Sequence, residues 1–206
     1  MADGDRARMN ITEPGQLLVE GKDAMNFFEG MLDYLDIDGV QVHDFGNNRG
    51  YKKLLPTFVL MDGFRNVERL GLVCDAEKDV ANSTLDSMND TIEKARRRFG
   101  SGEWPTTSTF VLPDNSRPGM LETLICDSFA HEPISKCIDN YFSCIASHDN
   151  EFAPSFKARA FAYIAASKKP NVSVGVAAKA SIWKLGDPVF EDLRRFVSAI
   201  GGISST

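Results

Sequence analysis

Apolar residues recur in two different rhythms along the first half of the chain. Residues 16–19 form a short apolar run that ends in Glu20 and Gly21, the pattern of a strand closed by a turn. From residue 23 to about 35 the rhythm changes. Met25, Phe28, Met31, Leu32 and Leu35 return at helical spacing, and Asp23 stands where a helix cap is expected. Asp38 and Gly39 mark a turn, and residues 40–45 alternate again as a second strand. Residues 46–50, GNNRG, are a loop by composition, with Arg49 free either to meet a phosphate or simply to turn the chain. Residues 51–61 predict a second helix, which Pro56 is expected to kink or split. Residues 67–74, VERLGLVC, predict a third strand. Its continuously apolar end suits a central strand of a parallel sheet, covered on both faces. Residues 80–99 then make a long polar helix that stops at Gly100.

The second half is read with more helix. Residues 107–112 are a fourth strand and 113–119 a turn-rich loop. Residues 120–130 start helical, and helices are expected over 134–146 and 154–166. Residues 171–177 read as a strand or extended segment that 178–183 continues. Residues 188–200 are an amphipathic helix with Phe190, Leu193, Phe196, Val197 and Ile200 on one face. Strands alternating with helices predict an α/β fold: a mainly parallel sheet of about four strands, helices on both faces and a helical C-terminal elaboration. The expected organisation is a disordered tail over 1–14 and a single domain over 15–206. Its core would cover about 15–115 and its elaboration about 116–206.

Composition narrows the picture. A chain of 206 residues can bury a core without staples. No run of 18 apolar residues occurs and the first residues carry Asp3, Asp5, Arg6 and Arg8, so neither a membrane span nor a secretory signal is expected and the setting is cytoplasmic. Cys74, Cys126, Cys137 and Cys144 lack metal-site spacing and read as reduced core thiols. Cys137 and Cys144, two helical turns apart, are expected to share a buried face. His43, His131 and His148 are too scattered for a metal trio, and Trp104 and Trp183 read as packing residues. The net charge of −6 excludes a basic nucleic-acid coat protein but leaves room for an enzyme that concentrates acid at one site. Lys94, Arg96, Arg97 and Arg98 close the long polar helix. They read either as a solvated end that complements the helix dipole or as a contact to a phosphate backbone.

The candidate chemistry lies at strand ends. The first strand ends at Glu20, the second at Asp44-Phe45-Gly46, and the third at Asp75-Ala76-Glu77, followed by Lys78 and Asp79. Parallel strands bring these ends to one edge, where ligands of open α/β sheets bind. Neighbouring carboxylates resist joint ionisation, and a divalent cation relieves that conflict. Oxygen donors of this kind suit Mg²⁺, with Mn²⁺ as the alternative. Asp114 would join the edge if the fourth strand enters the sheet, and would otherwise start a turn.

The run Leu17-Leu18-Val19-Glu20-Gly21-Lys22-Asp23 resembles the first motif of Toprim domains, and residues 70–79, LGLVCDAEKD, resemble the second. The chain is most similar to a Toprim-related family of small prokaryotic proteins of unknown function. That family carries a segment matched by Pro113-Asp114 and Pro118-Gly119-Met120-Leu121-Glu122, and a later one matched by residues 175–183. The resemblance implies a Toprim/Rossmann-like fold and metal-dependent chemistry on the phosphodiesters of DNA or RNA. Glu20 would be a general acid/base or a metal ligand. Asp75 and Glu77 would hold Mg²⁺, with Asp79 and Glu122 as further acidic positions. Lys157 or Lys179 would stabilise the phosphorus in its transition state. A homodimer is compatible with all of this.

Two positions depart from the pattern. Nuclease-type relatives carry an acid four residues after the first glutamate, where this chain has Ala24. The acid at Asp23 is one residue early, a turn of about 100° on a helix. Glu77 is one methylene longer than the usual aspartate. Two function classes therefore stand: a Mg²⁺-dependent nuclease or phosphotransferase, and a Toprim-like binding or regulatory module with a degraded site.

Overall fold

The computed structural model describes residues 10–47, 49–76, 78, 81–148 and 151–203. Four strands, β1 (Gly15–Val19), β2 (Val40–Asp44), β3 (Arg69–Asp75) and β4 (Thr106–Leu112), form one sheet in the order β2-β1-β3-β4. Every pair is parallel. Helices α1 (Gly21–Leu35), α2 (Tyr51–Phe58) and α3 (Ala81–Phe99) make the crossovers, with a short 3-10 turn, Phe64–Asn66, before β3. The C-terminal extension holds α4 (Leu121–Phe129), α5 (Pro133–Ala146), α6 (Phe156–Ala165), α7 (Val176–Lys179), a 3-10 turn at Pro188–Phe190, and α8 (Glu191–Ile200).

Strand alternation divides the core in two. Leu17 and Val19 of β1, Val73 of β3, and Phe110 and Leu112 of β4 face α1 and the C-terminal helices. Leu18, Leu70, Leu72, Cys74 and Val111 face α2 and α3. The apolar stripe of α8, with Leu193, Phe196, Val197 and Ile200 buried, lies on the sheet itself. Gly71 makes room for it. A Cβ there would come within 2.7 Å of Leu17 Cδ1 and 3.0 Å of Ile200 Cγ1. The extension is thus a cover for one sheet face as well as an appendage.

The architecture agrees with the parallel α/β sheet expected from the alternation, and four local expectations change. Helix α2 runs through Pro56 without a break. The proline forgoes one i→i−4 bond, to the Lys52 carbonyl, and the helix ends two residues beyond it. Residues 171–183 do not form a strand. Val174, Ala177 and Ala178 instead pack in the core with α1, as a turn and the short α7. The buried face of α5 is Ser135, Ile138 and Phe142, so Cys137 and Cys144 are exposed on its other side while Cys74 and Cys126 are buried. Asp23 does not cap α1, which has Glu20 at its N-cap without a side-chain bond and Asp23 inside the first turn. Among the described residues no helix is long and apolar enough to cross a membrane.

Candidate acidic site at the sheet edge

The C-terminal edge of the sheet is built around two tight turns held by one carboxylate. Asp44, the last residue of β2, accepts from Gly21 N–H at 2.8 Å and from Gly46 N–H at 2.6 Å, both through Oδ1. Gly21 and Gly46 have φ of 85° and 77°, a region that disfavours a side chain. The β1–α1 turn that presents Glu20 is in this way tied to the end of the neighbouring strand. Glu20 Oε1 accepts from the backbone N–H of Arg49 at 3.2 Å, which ties the chain at Arg49 to it.

Asp75 ends β3. Its Oδ1 accepts from Leu121 N–H at the start of α4, at 3.1 Å. A helix start has free N–H donors, and a carboxylate is a natural partner for them. The same contact brings the next residue, Glu122, to this edge, where it is buried. Glu20 and Asp75 meet electrostatically at Cys74. Burial raises the Cys74 thiol well above its ordinary range, and the negative charges of Glu20 and Asp75 raise it further. Cys74 is therefore held as a neutral thiol behind the two acids.

The other acids of the edge meet a lysine. Lys157 Nζ, from the first turn of α6, stands 3.8 Å from Asp23 Oδ2 and 3.8 Å from Glu122 Oε1. Asp23 Oδ1 also accepts from Gly175 N–H at 3.3 Å. Ala24 packs in the core. Lys179 lies elsewhere. Its Nζ is 2.5 Å from Glu29 Oε2, and Glu29 is nine residues beyond Glu20, about 13 Å along a helix axis at its usual rise. Lys157 is at the edge and Lys179 is not.

The structure thus gathers Glu20, Asp75, Glu122 and Lys157, and leaves Lys179 apart. Glu77 and Asp79 lie outside the described residues. Among the described residues no group of three His, Cys, Asp or Glu side chains could hold a metal ion. Asp114 does reach the end of an in-sheet strand, but it works as a turn acceptor. Its Oδ1 takes Ser116 and Arg117 N–H at 3.1 and 2.9 Å, and Arg117 Nε lies 2.5 Å from its Oδ2.

Asp44 and Asp23 carry more of this site than the sequence reading assigned them. The signal for Asp44 was present: an Asp two residues before Gly at a strand end readily accepts the i+2 N–H. Nothing in the sequence announces that Asp23 meets residues 157 and 175. The later motif over 175–183 proves architectural at each of its fixed positions. A Cβ on Gly175 would fall on the Asp23 backbone. Ala177 is buried, Lys179 pairs with Glu29, and Trp183 Nε1 donates to Val174 O at 2.8 Å.

The parallel four-stranded sheet with flanking helices and a helical C-terminal extension is a Rossmannoid architecture, consistent with a Toprim-like fold. Residues 14–201 match the family described as protein of unknown function DUF3226, and the chain belongs to that family. Searches of the curated proteins and of the solved structures found no match.

Proposed function

We propose that this chain is a Toprim-like binding or regulatory module, in which the acidic edge serves the fold more than it serves catalysis. The observation that carries this reading is Lys157, placed 3.8 Å from both Asp23 and Glu122. Its ammonium supplies there the positive charge that a cation would otherwise bring. The remaining carboxylates have structural duties as well. Asp44 holds two turns, Asp75 holds the start of α4, and Glu20 holds the Arg49 N–H. With Ala24 in the core, position 24 offers this edge no carboxylate for a two-metal site.

A second reading stands on Glu20 and Asp75, which share the neighbourhood of Cys74 at the end of adjacent strands. In it, Glu20, Asp75, Glu77, Asp79 and Glu122 would hold Mg²⁺ or Mn²⁺. The ion would activate water and offset charge on a DNA or RNA phosphodiester. Lys157 would then face the phosphate, and Lys179, paired with Glu29, would act only as support for α7.

Calorimetric titration with Mg²⁺ and Mn²⁺, alone and with an oligonucleotide present, separates the two. The module reading expects no saturable metal binding at millimolar ion and no cleavage of labelled DNA or RNA. Metal binding that Asp75→Asn abolishes, together with cleavage lost in Glu20→Gln, would overturn it in favour of the nuclease.

A further inference from the structure

The crossover helix α3 leaves β3 at the acidic edge and delivers the chain to the start of β4. Its nineteen residues span about 28 Å at the usual helical rise. Its last turns therefore stand at the opposite edge of the sheet. Four of the five residues 94–98 there are cationic, in a chain whose net charge is −6. Lys94, Arg96, Arg97 and Arg98 are all exposed. Arg96 has one loose ion pair, 3.9 Å from Glu93, and Lys94, Arg97 and Arg98 have none among the described residues. Two of these cations would be enough to complement a helix C-terminus; four crowd against their own repulsion.

Beside this end lies a cleft of about 420 Å³. Leu60, Met61, Asp62, Arg65, Asn66 and Phe99 line it. Phe99 closes the same last turn of α3, so the cleft begins at the end of the helix that carries the cations. Phe99 is half-buried, edge-on to Phe64 and Trp104, and the Arg65 guanidinium sits 5.4 Å above its ring. Arg65 Nη1 donates to Ser101 O at 3.3 Å, which holds the guanidinium in place. Leu60 is 53% exposed.

We infer that this end of the protein binds single-stranded nucleic acid, with phosphates on Lys94, Arg96, Arg97 and Arg98 and a base in the Leu60–Phe99 cleft. Clustered arginines are donors matched to phosphate, and an aromatic ring with a guanidinium above it stacks bases of any sequence. A duplex would use the cations but keeps its bases stacked away from the cleft. An acidic peptide or an anionic membrane would also use the cations and leave Phe99 idle. The surface lies at the far edge from Glu20 and Asp75, so its test is independent of what the acidic edge does with metal.

Fluorescence anisotropy with a labelled oligothymidylate, at several salt concentrations and without divalent ions, reads the binding directly. A duplex of equal length, a polyglutamate peptide and phosphatidylserine vesicles serve as competitors. Wild type is expected to prefer the single strand. Arg97→Ala/Arg98→Ala should weaken it on the order of tenfold and lower the slope of log K against log salt by about 1.4, two phosphates at roughly 0.7 each. Leu60→Glu, on an exposed position, should weaken the single strand and spare the duplex. Circular dichroism melting confirms that both variants fold. Absence of binding at low salt, binding unchanged in Arg97→Ala/Arg98→Ala, or a preference for peptide or vesicles would overturn the assignment.

Discussion

Gly175 and Asp23 lie backbone to backbone: a Cβ on the glycine would come within 2.0 Å of the Asp23 carbonyl oxygen. The Gly175 N–H also reaches the Asp23 carboxylate at 3.3 Å. One position therefore controls how α7 meets α1. Gly175 has φ of −69°, so the demand for glycine here comes from space and not from backbone conformation. Gly175→Ala should cost about 3 kcal/mol, at the upper end of overpacking penalties, because the clashing atoms are backbone and cannot rotate away. Urea unfolding monitored by Trp fluorescence measures it. A loss below about 0.5 kcal/mol would show that the two segments are not held at this distance.

Lys157 sets a second expectation. It is 54% exposed, whereas the Glu122 side chain is only 10% exposed, so removing the lysine leaves a nearly buried carboxylate without its cation. Lys157→Met should cost about 1 kcal/mol and Glu122→Gln about as much. The two changes together should cost less than their sum, with a coupling of about 0.5 kcal/mol or more in a double-mutant cycle. Strict additivity would mean that the pair does not interact.

Asp44 holds the β1–α1 and β2 turns through a single oxygen. Asp44→Ala frees two backbone N–H groups at once and should lower stability by about 2 kcal/mol. Asp44→Asn keeps an oxygen that can accept both bonds, and should lose less than half as much. Amide hydrogen exchange at Gly21 and Gly46 gives the local readout. Both should exchange faster in Asp44→Ala, and unchanged protection would remove the claim that Asp44 builds this edge.

Asp114 predicts an acid limb in the stability curve. Partial burial works to raise its pKa, but hydrogen bonds from the Arg117 backbone and side chain and from Ser116 outweigh it and pull it down to about 2 from 3.8. A carboxylate depressed in the folded state binds fewer protons there than in the unfolded chain. Its stabilisation is complete above pH 4 and is lost as pH falls from about 4 to about 2. Asp114→Asn should therefore be less stable than wild type at neutral pH, and the gap should close toward pH 2. Thermal melts across that range test it, and a constant gap would exclude the linkage.

Much of the sheet was legible because strand and helix rhythms differ. The continuous apolar end of β3 marked a central strand, and β3 does sit between β1 and β4. The turn residues around Glu20, Asp44 and Asp75 marked strand ends, and parallel pairing then puts them on one edge. What could not be read is whatever depends on long-range packing. Val172, Val174 and Val176 alternate like a strand, yet the close approach of Gly175 to Asp23 curls this stretch onto α1. Cys137 and Cys144 share a helix face, but only tertiary contact decides which face is inside, and Ile138 and Phe142 take it. Lys157 and Lys179 look alike in sequence and are separated only by their partners, Glu122 in one case and Glu29 in the other.

The placement of α8 bears on when the protein can be assembled. Residues 191–200 cover β1, β3 and β4, and Ile200 closes over the gap left by Gly71. During synthesis that part of the sheet stays bare until the ribosome has made these residues and let them out of its exit tunnel. From the completion of β4 until α8 emerges the nascent chain must carry an exposed apolar face, a state in which aggregation competes with folding. Chaperone dependence in the cell should track the time this face waits for α8.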